Sequence, residues 1–403
     1  MIKNVGLAES GKKFHILFLQ TSYSDTDGSS IALNGLIKDN INIESYKVLS
    51  LFVKGNVDIN LQTVTTWHQI KEEIDSGNYD IIHYFKTNGY TIFRWTCKAL
   101  KKSKCKLPIY ITVNQRPSYK GLLLSPKEIH AAEKIVFIDS IAYSDKIVSF
   151  IPEYRKEKIY YSTSLYLDTL NELYTNRVTE KASAKANSHV VFGRGSTTNK
   201  CPPDMYDIFH HIKYNDKEFR VIGISKDSEV YSEGEAYPDV TVYPVLPTVE
   251  WYRQLSKFDV FLYQIPESAY SSLDGTLGTA MILGIPVVYY GPDAPKERFI
   301  HGINGFVAST KEDIPIYCQM LAEDPILRER IGEAGRKSTL EMFPWQKTVQ
   351  QYSILWTERY KSRIKVPFKY RYIFYSHSIG RIIREFISWS PFGYILRKFL
   401  RKI

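Results

Sequence analysis

The sequence predicts two doubly wound α/β domains in tandem, facing a common cleft, with a basic helical tail behind them. Two observations carry this: short apolar runs alternate with helix-spaced segments twice over, and a polar break separates the two series. A third observation, the distribution of charge, sets the tail apart.

In the first series, 15–19 is an apolar run. A turn-rich loop follows through Gly28, and then Ile31, Leu33, Leu36 and Ile37 fall at helical spacing. The alternation continues with strands at 48–53, 80–85, 108–113 and 134–138 and helices at 67–74 and 91–101. Strands alternating with helices build a parallel sheet covered on both faces. Residues 170–187 read as a polar linker. The second series places strands at 189–192, 219–223, 240–243, 259–263, 285–290 and 305–308. The expected division is a polar segment 1–13, a first domain 14–169, the linker 170–187, a second domain 188–342, a helix 343–360 returning toward the first domain, and a tail 361–403. Ligands of such sheets sit outside the carboxyl ends of the strands, so the cleft between the domains is the expected site.

At 403 residues, 44% hydrophobic and 24% charged, the chain has the composition of a globular protein, which excludes disorder, collagen-like repeats and disulfide miniproteins. Four cysteines in no CxxC pattern suggest neither zinc nor a disulfide framework, and a reducing cytoplasmic compartment is the default. Residues 1–13 have no apolar core, so no secretory signal is expected, and no apolar run approaches the ~18 residues of a spanning helix. The net charge is +10, from 53 basic and 43 acidic side chains. All of the excess lies in 361–403, which holds eleven basic groups against Glu385, whereas 1–360 is neutral. A neutral body argues against nucleic acid as a partner.

The second domain opens with Val-Val-Phe-Gly193-Arg194-Gly195, followed within five residues by Lys200. Glycines admit a ligand close to backbone N–H groups, and an Arg fork with a Lys point charge suits a diphosphate; the plain alternative is a solvated surface pair. Farther on, Glu267 opens a loop that leads through Asp274, Gly275, Thr276, Leu277, Gly278 and Thr279 into a helix, whose N-terminus offers N–H groups to an anion. Asp274 suits either a helix cap or a sugar-hydroxyl acceptor. His83 ends a strand, where it reads as a hydrogen-bonded structural histidine or as a reaction-centre one. Asp25-Thr-Asp27 has the form of a metal-binding pair, but its place between a strand and Gly28 reads as turn and helix cap, and no metal is expected.

In the tail, Ile379, Ile382, Ile383, Phe386 and Ile387 recur at helical spacing, with Arg381, Arg384 and Glu385 between them. Beyond Pro391, Ile395, Leu396, Phe399, Leu400 and Ile403 alternate with Arg397, Lys398, Arg401 and Lys402. Upstream, Phe368, Tyr370, Tyr372, Phe374 and Tyr375 stand among Lys365, Lys369 and Arg371. Cationic amphipathic helices with interfacial aromatics suit an anionic membrane surface; the other reading is helices packed on the body with solvated basic faces.

Asp274-Gly-Thr through Ala280-Met-Ile-Leu-Gly-Ile-Pro-Val-Val, His301-Gly-Ile-Asn-Gly-Phe-Val307, the run from Leu321 to Arg336, and Phe343-Pro-Trp345 together resemble the C-terminal half of glycosyltransferase family 4. Asp80-Ile-Ile-His83 and Ala132-Glu-Lys-Ile-Val-Phe-Ile-Asp-Ser140, leading to Lys158 and Leu167-Asp168, resemble its N-terminal half. The resemblance implies a GT-B fold of two Rossmann-like domains and a retaining, hexosyltransferase-type enzyme. It would use a nucleotide-sugar co-substrate and neither cofactor nor metal. It also implies that Arg194 and Lys200 hold the donor diphosphate, that the loop to Thr279 holds the nucleotide sugar, and that Gly28 with Ser29 approaches the reacting centre.

Two positions depart from the family pattern. Thr279 stands where a glutamate precedes Ala-Met, with Ser271 at the ungapped partner position, so Asp274 or Glu267 is left to supply the carboxylate. Asn114 stands where a histidine follows Thr-Val, which removes a titrating group there. With the tail, the expected activity is sugar transfer to a lipid-linked glycan acceptor on the cytoplasmic face of a membrane, in surface polysaccharide or glycolipid biosynthesis. The alternatives are a non-catalytic nucleotide-sugar binder or membrane scaffold, and a cytosolic transferase acting on a soluble acceptor.

Overall fold

The computed structural model describes residues 12–24, 28–55, 57–86, 91–113, 126–137, 167–183, 189–266, 275–342, 345–357 and 368. The first domain contains β1 (Phe14–Ser24), α1 (Gly28–Asp39), β2 (Ile43–Lys54), β3 (Leu61–Thr63), α2 (Trp67–Asp75), β4 (Ile81–Lys86), α3 (Thr91–Lys102), β5 (Ile109–Val113), α4 (Pro126–Ala131) and β6 (Ala132–Phe137). After α5 (Leu167–Ser183), the second runs β7 (Val190–Gly195), a 3-10 turn (Thr198–Lys200), α6 (Met205–His210), β8 (Lys217–Ile222), α7 (Glu229–Glu235), β9 (Val240–Tyr243), α8 (Thr248–Leu255) and β10 (Val260–Gln264). It continues with α9 (Gly275–Ile282), β11 (Val287–Tyr290), α10 (Asp293–Lys296), β12 (Phe306–Val307), α11 (Asp313–Glu323) and α12 (Pro325–Met342), and α13 (Trp345–Thr357) follows.

Each domain is built on a six-stranded parallel sheet, ordered β3-β2-β1-β4-β5-β6 in the first and β12-β11-β10-β7-β8-β9 in the second. Counted within its own domain, each sheet has the same doubly wound order, with the switch between β1 and β4 and between β7 and β10. The apolar runs are continuous because both faces of each sheet are covered. In β1, Leu17 and Leu19 join the core under α2 and α3, while Phe14, Ile16 and Phe18 join the core on the opposite face. In β10, Val260 and Leu262 face one layer and Phe261 and Tyr263 the other.

Three departures from the sequence reading have physical causes. The loop expected after Leu19 begins only after Ser24, because Gln20 and Tyr23 are buried and β1 stays paired with β2 as far as Lys54. β3 was not predicted; its three residues extend the sheet edge beside β2 and give no periodicity to read. The linker expected at 170–187 is helical as far as Ser183.

The inner stripe of α5 has helical spacing, yet half of it is polar. Leu170 and Leu173 meet the second core, Arg177 is buried and donates to the Ser256 carbonyl (2.9 Å), and Lys181 pairs with Asp259 (2.5 Å). Burial, then the neighbouring Arg177, pulls the Lys181 ammonium down to about 8.

α13 packs on the first domain. Val349, Tyr352, Leu355 and Trp356 fill the core with Phe14, Phe18 and Phe85. Asn40 donates to the Val349 carbonyl (3.3 Å) and accepts from Ser353 (3.0 Å). Among the described residues no helix is long and apolar enough to cross a membrane.

Candidate functional site

The carboxyl end of the second sheet gathers the donor-side residues that the sequence singles out. β7 and β10 are paired only through Val260–Phe192 and Phe261–Gly193. The pairing stops there, at the switch point where a ligand crevice is expected. Arg194 fills its base. The side chain is 1% exposed; Nη1 donates to the Gln264 carbonyl (2.6 Å) and Nη2 to the Lys200 carbonyl (2.5 Å). The guanidinium carbon lies 5.7 Å from the Tyr263 ring centre. The expected diphosphate fork is therefore turned inward, with both terminal nitrogens committed to backbone oxygens. Lys200 closes the 3-10 turn that follows β7, where its N–H donates to the Thr197 carbonyl (2.9 Å).

The two glycines around Arg194 serve packing rather than ligand approach. A Cβ on Gly193 would fall 1.9 Å from the Phe258 ring, and one on Gly195 2.7 Å from the Trp251 indole. Gly193→Ala is expected to cost about 1–3 kcal/mol, the usual range for overpacking, and Gly193→Ala/Phe258→Leu should recover part of it. Urea unfolding of the two variants checks this; equal stability of Gly193→Ala and wild type would contradict the packing account.

α9 begins at Gly275, with Gly275 and Thr276 toward the surface and Leu277, Gly278 and Thr279 buried. The Thr279 hydroxyl donates to the Gly275 carbonyl within the helix (2.9 Å), so at this position neither a carboxylate nor a free hydroxyl faces a ligand. The first turn of α9 brings backbone N–H groups to this end of the sheet, the arrangement that suits an anion. Arg298 is 2% exposed and passes beside Gly278, where a Cβ would stand 3.5 Å from its guanidinium. Asp274 and Glu267 lie outside the described residues, as do Asp25, Asp27, Asn114 and, apart from Phe368, the tail with Lys365, Lys369, Arg371, Arg381, Arg384, Arg397, Lys398, Arg401 and Lys402.

Sequence reasoning missed Asp204, Gln264, Arg298 and Lys311. Asp204 sits at the N-cap of α6 yet makes no capping bond. Its carboxylate accepts instead from Gln264 Nε2 (3.0 Å) and pairs with Lys311. The Lys311 ammonium is raised above its usual range by that hydrogen bond. No local pattern signals these contacts: Gln264 reads as the polar end of a strand, and Arg298, in a Lys-Glu-Arg run, as solvated surface.

On the first domain, Gly28 and Ser29 open α1 just beyond the carboxyl end of β1. The next residue ties helix to strand, since Ser30 Oγ accepts from Gln20 Nε2 (3.0 Å) and from the Ser24 N–H (3.2 Å). His83 is not at the surface of any cleft; it is fully buried beneath α13. The Trp356 indole N–H can only donate, and it reaches His83 Nδ1 (3.0 Å). Nε2 therefore carries the proton and donates to Thr112 Oγ1 (2.8 Å). Burial pushes the imidazole down to about 3, so it is neutral across the physiological range. This sets aside the reaction-centre reading of His83 in favour of the structural one. Among the described residues no three His, Cys, Asp or Glu side chains gather as a metal site.

No family model matches the sequence, and no curated protein does either. Several solved structures match across nearly their whole length. HepE of Anabaena, in complex with UDP-glucose, aligns with a TM-score of 0.61 at 15% identity over 85% of this chain and 99% of its own. A glycosyltransferase of Rickettsia africae gives 0.63 at 12% identity over 86% and 98%. Sucrose-phosphate synthase of Thermosynechococcus elongatus gives 0.62 at 11% over 86% and 98%. The fold is GT-B. Identities this low establish the architecture of the two Rossmann-like domains, and within that GT-B frame the Arg194 crevice and the start of α9 belong to the second domain.

Proposed function

We propose that the chain is a retaining glycosyltransferase of the hexosyltransferase type, resembling family 4, which moves a sugar from a nucleotide-sugar donor to a lipid-linked glycan acceptor. The observation that carries this reading is the juxtaposition at one sheet end of the Lys200 turn, the β7–β10 switch point and the N-terminus of an eight-residue helix, in a GT-B fold. A cation and free N–H groups fixed in place are what a departing diphosphate needs. The anomeric carbon–oxygen bond to phosphate breaks while the bond to the acceptor oxygen forms on the same face. The acceptor's proton passes to the departing phosphate oxygen, so the reaction as proposed asks for no protein nucleophile, metal or cofactor. HepE, a structural neighbour, is described in complex with UDP-glucose, which supports a nucleotide sugar as donor.

The proposed location rests on the tail. Its eleven basic groups would each add about 1 kcal/mol beside an anionic leaflet, which supports a peripheral position on a cytoplasmic membrane face and a role in surface polysaccharide or glycolipid assembly. Asp274 or Glu267 supplies the carboxylate that Thr279 lacks, and Asn114 and Gly28 belong to the acceptor side. One observation favours a second reading, a non-catalytic nucleotide-sugar binder: Thr279 is buried with its hydroxyl already engaged.

The test is nucleoside diphosphate release from a panel of UDP-, GDP-, ADP- and dTDP-sugars in the presence of membrane extract. Release from one donor is expected; binding of a donor without release from any would favour the binder. Deletion after Tyr360 should abolish flotation with anionic vesicles, and unchanged flotation would remove the membrane assignment.

A further inference from the structure

We propose that Arg194, Gln264 and Asp204 are positioning residues, which brace the 196–204 segment on the end of β10 and so present Lys200 to the donor diphosphate. The role rests on the donor-side reading above. The segment is held at two points, its middle and its far end, against the end of β10. At its middle, Arg194 spans the opening between β7 and β10 and holds the Lys200 carbonyl with one nitrogen and the Gln264 carbonyl with the other. At its far end, the Gln264 side chain holds Asp204, which in turn carries Lys311 from beyond β12.

Two features argue that the brace is specific rather than incidental. An Asp at an N-cap ordinarily stabilises its own helix through a side-chain bond to the first turn, but Asp204 makes no such bond and is turned toward β10. In addition, Arg194 Nε and Gln264 Oε1 are buried without hydrogen-bond partners, although both side chains are only 1% exposed. A guanidinium and an amide left partly unsatisfied in the interior are costly to keep, and the bonds they do make tie β7, β10 and the segment that carries Lys200 together.

The sign of one substitution separates this role from simple electrostatics. Asp204 is an acid beside an anion site, so a purely electrostatic account has Asp204→Ala bind a diphosphate more tightly; the brace has it bind more weakly. The experiment is calorimetric titration of the full chain with inorganic pyrophosphate, combined with amide hydrogen exchange of the free protein. Asp204→Ala and Gln264→Leu should weaken pyrophosphate about tenfold or more, the scale of a small misplacement of a binding group, well below their thermal midpoints. The Lys200 and Cys201 amides, which donate to Thr197 and Thr198, should exchange faster in both variants before any ligand is added. Asp204→Asn keeps an acceptor for Gln264 and should stay within about threefold of wild type. Equal or tighter binding by Asp204→Ala overturns the brace. If the wild type itself binds no pyrophosphate, the donor-side reading fails and the role falls with it. Binding that Lys200→Ala abolishes and Asp204→Ala leaves intact overturns the brace alone.

Discussion

Lys200→Ala is expected to lower turnover about 10²–10³-fold, the loss typical of removing one pre-placed group that stabilises charge in a transition state. In the proposed role the Lys200 ammonium is the cation offered to the diphosphate; Arg194 is buried with both terminal nitrogens on backbone carbonyls and does not stand in for it. The backbone of the turn does not depend on the Lys200 side chain, because Arg194 holds the carbonyl and Thr197 the N–H. Stability should therefore change by no more than about 0.5 kcal/mol. Steady-state kinetics with the donor selected by the panel, set beside a melting curve, checks both halves. Unchanged kcat, or a drop explained by unfolding, would remove Lys200 from the proposed machinery.

The second large effect concerns acid. His83 folds neutral with its affinity for protons pushed down to about 3 from 6.5, by burial. As pH falls below 6.5 the unfolded chain gains a proton there and the folded chain does not. Stability is complete above 6.5 and declines toward 3, by about 1.4 kcal/mol for each pH unit in between. His83→Gln keeps a donor and an acceptor for Thr112 and Trp356 but cannot titrate. It is expected to be the less stable form at pH 7 and to close on the wild type, or overtake it, by pH 4. Urea unfolding of both proteins from pH 7 to pH 4 measures the difference; parallel curves would show that His83 does not titrate as its burial requires.

Much of the frame is legible in the sequence because a parallel sheet covered on both faces leaves long apolar strands and short interruptions. The runs at Ile81–Lys86 and Val260–Gln264 are of this kind. What escapes is carried by polar residues in the interior. The inner stripe of α5 includes Arg177 and Lys181, and a reader of periodicity sees a linker there. Gln20 looks like the start of a loop, although it is fully buried and bonded to Ser30. The site was half legible for the same reason. Gly193, Arg194 and Lys200 are visible as a cluster, but which of them faces a ligand depends on Phe258 and on the Gln264 carbonyl, dozens of residues away. Thr279 and Asp204 give no sign in sequence of where their side-chain oxygens are spent.

The return of α13 to the first domain also bears on the order in which the protein can be made. Trp356 donates to His83 and its carbonyl accepts from Tyr110, 246 positions upstream, while Tyr352 and Leu355 complete the layer over β1 and β4. During synthesis, residues 14–137 leave the ribosome long before these partners exist, and the part of one sheet face that α1 does not cover must wait. The second domain, whose core draws only on α5 and the residues that follow it among those described, has all its partners by residue 342. The portion translated first is thus the portion that finishes last. Nascent chains stopped before residue 345 should hold a native second domain and a first domain that chaperones still recognise.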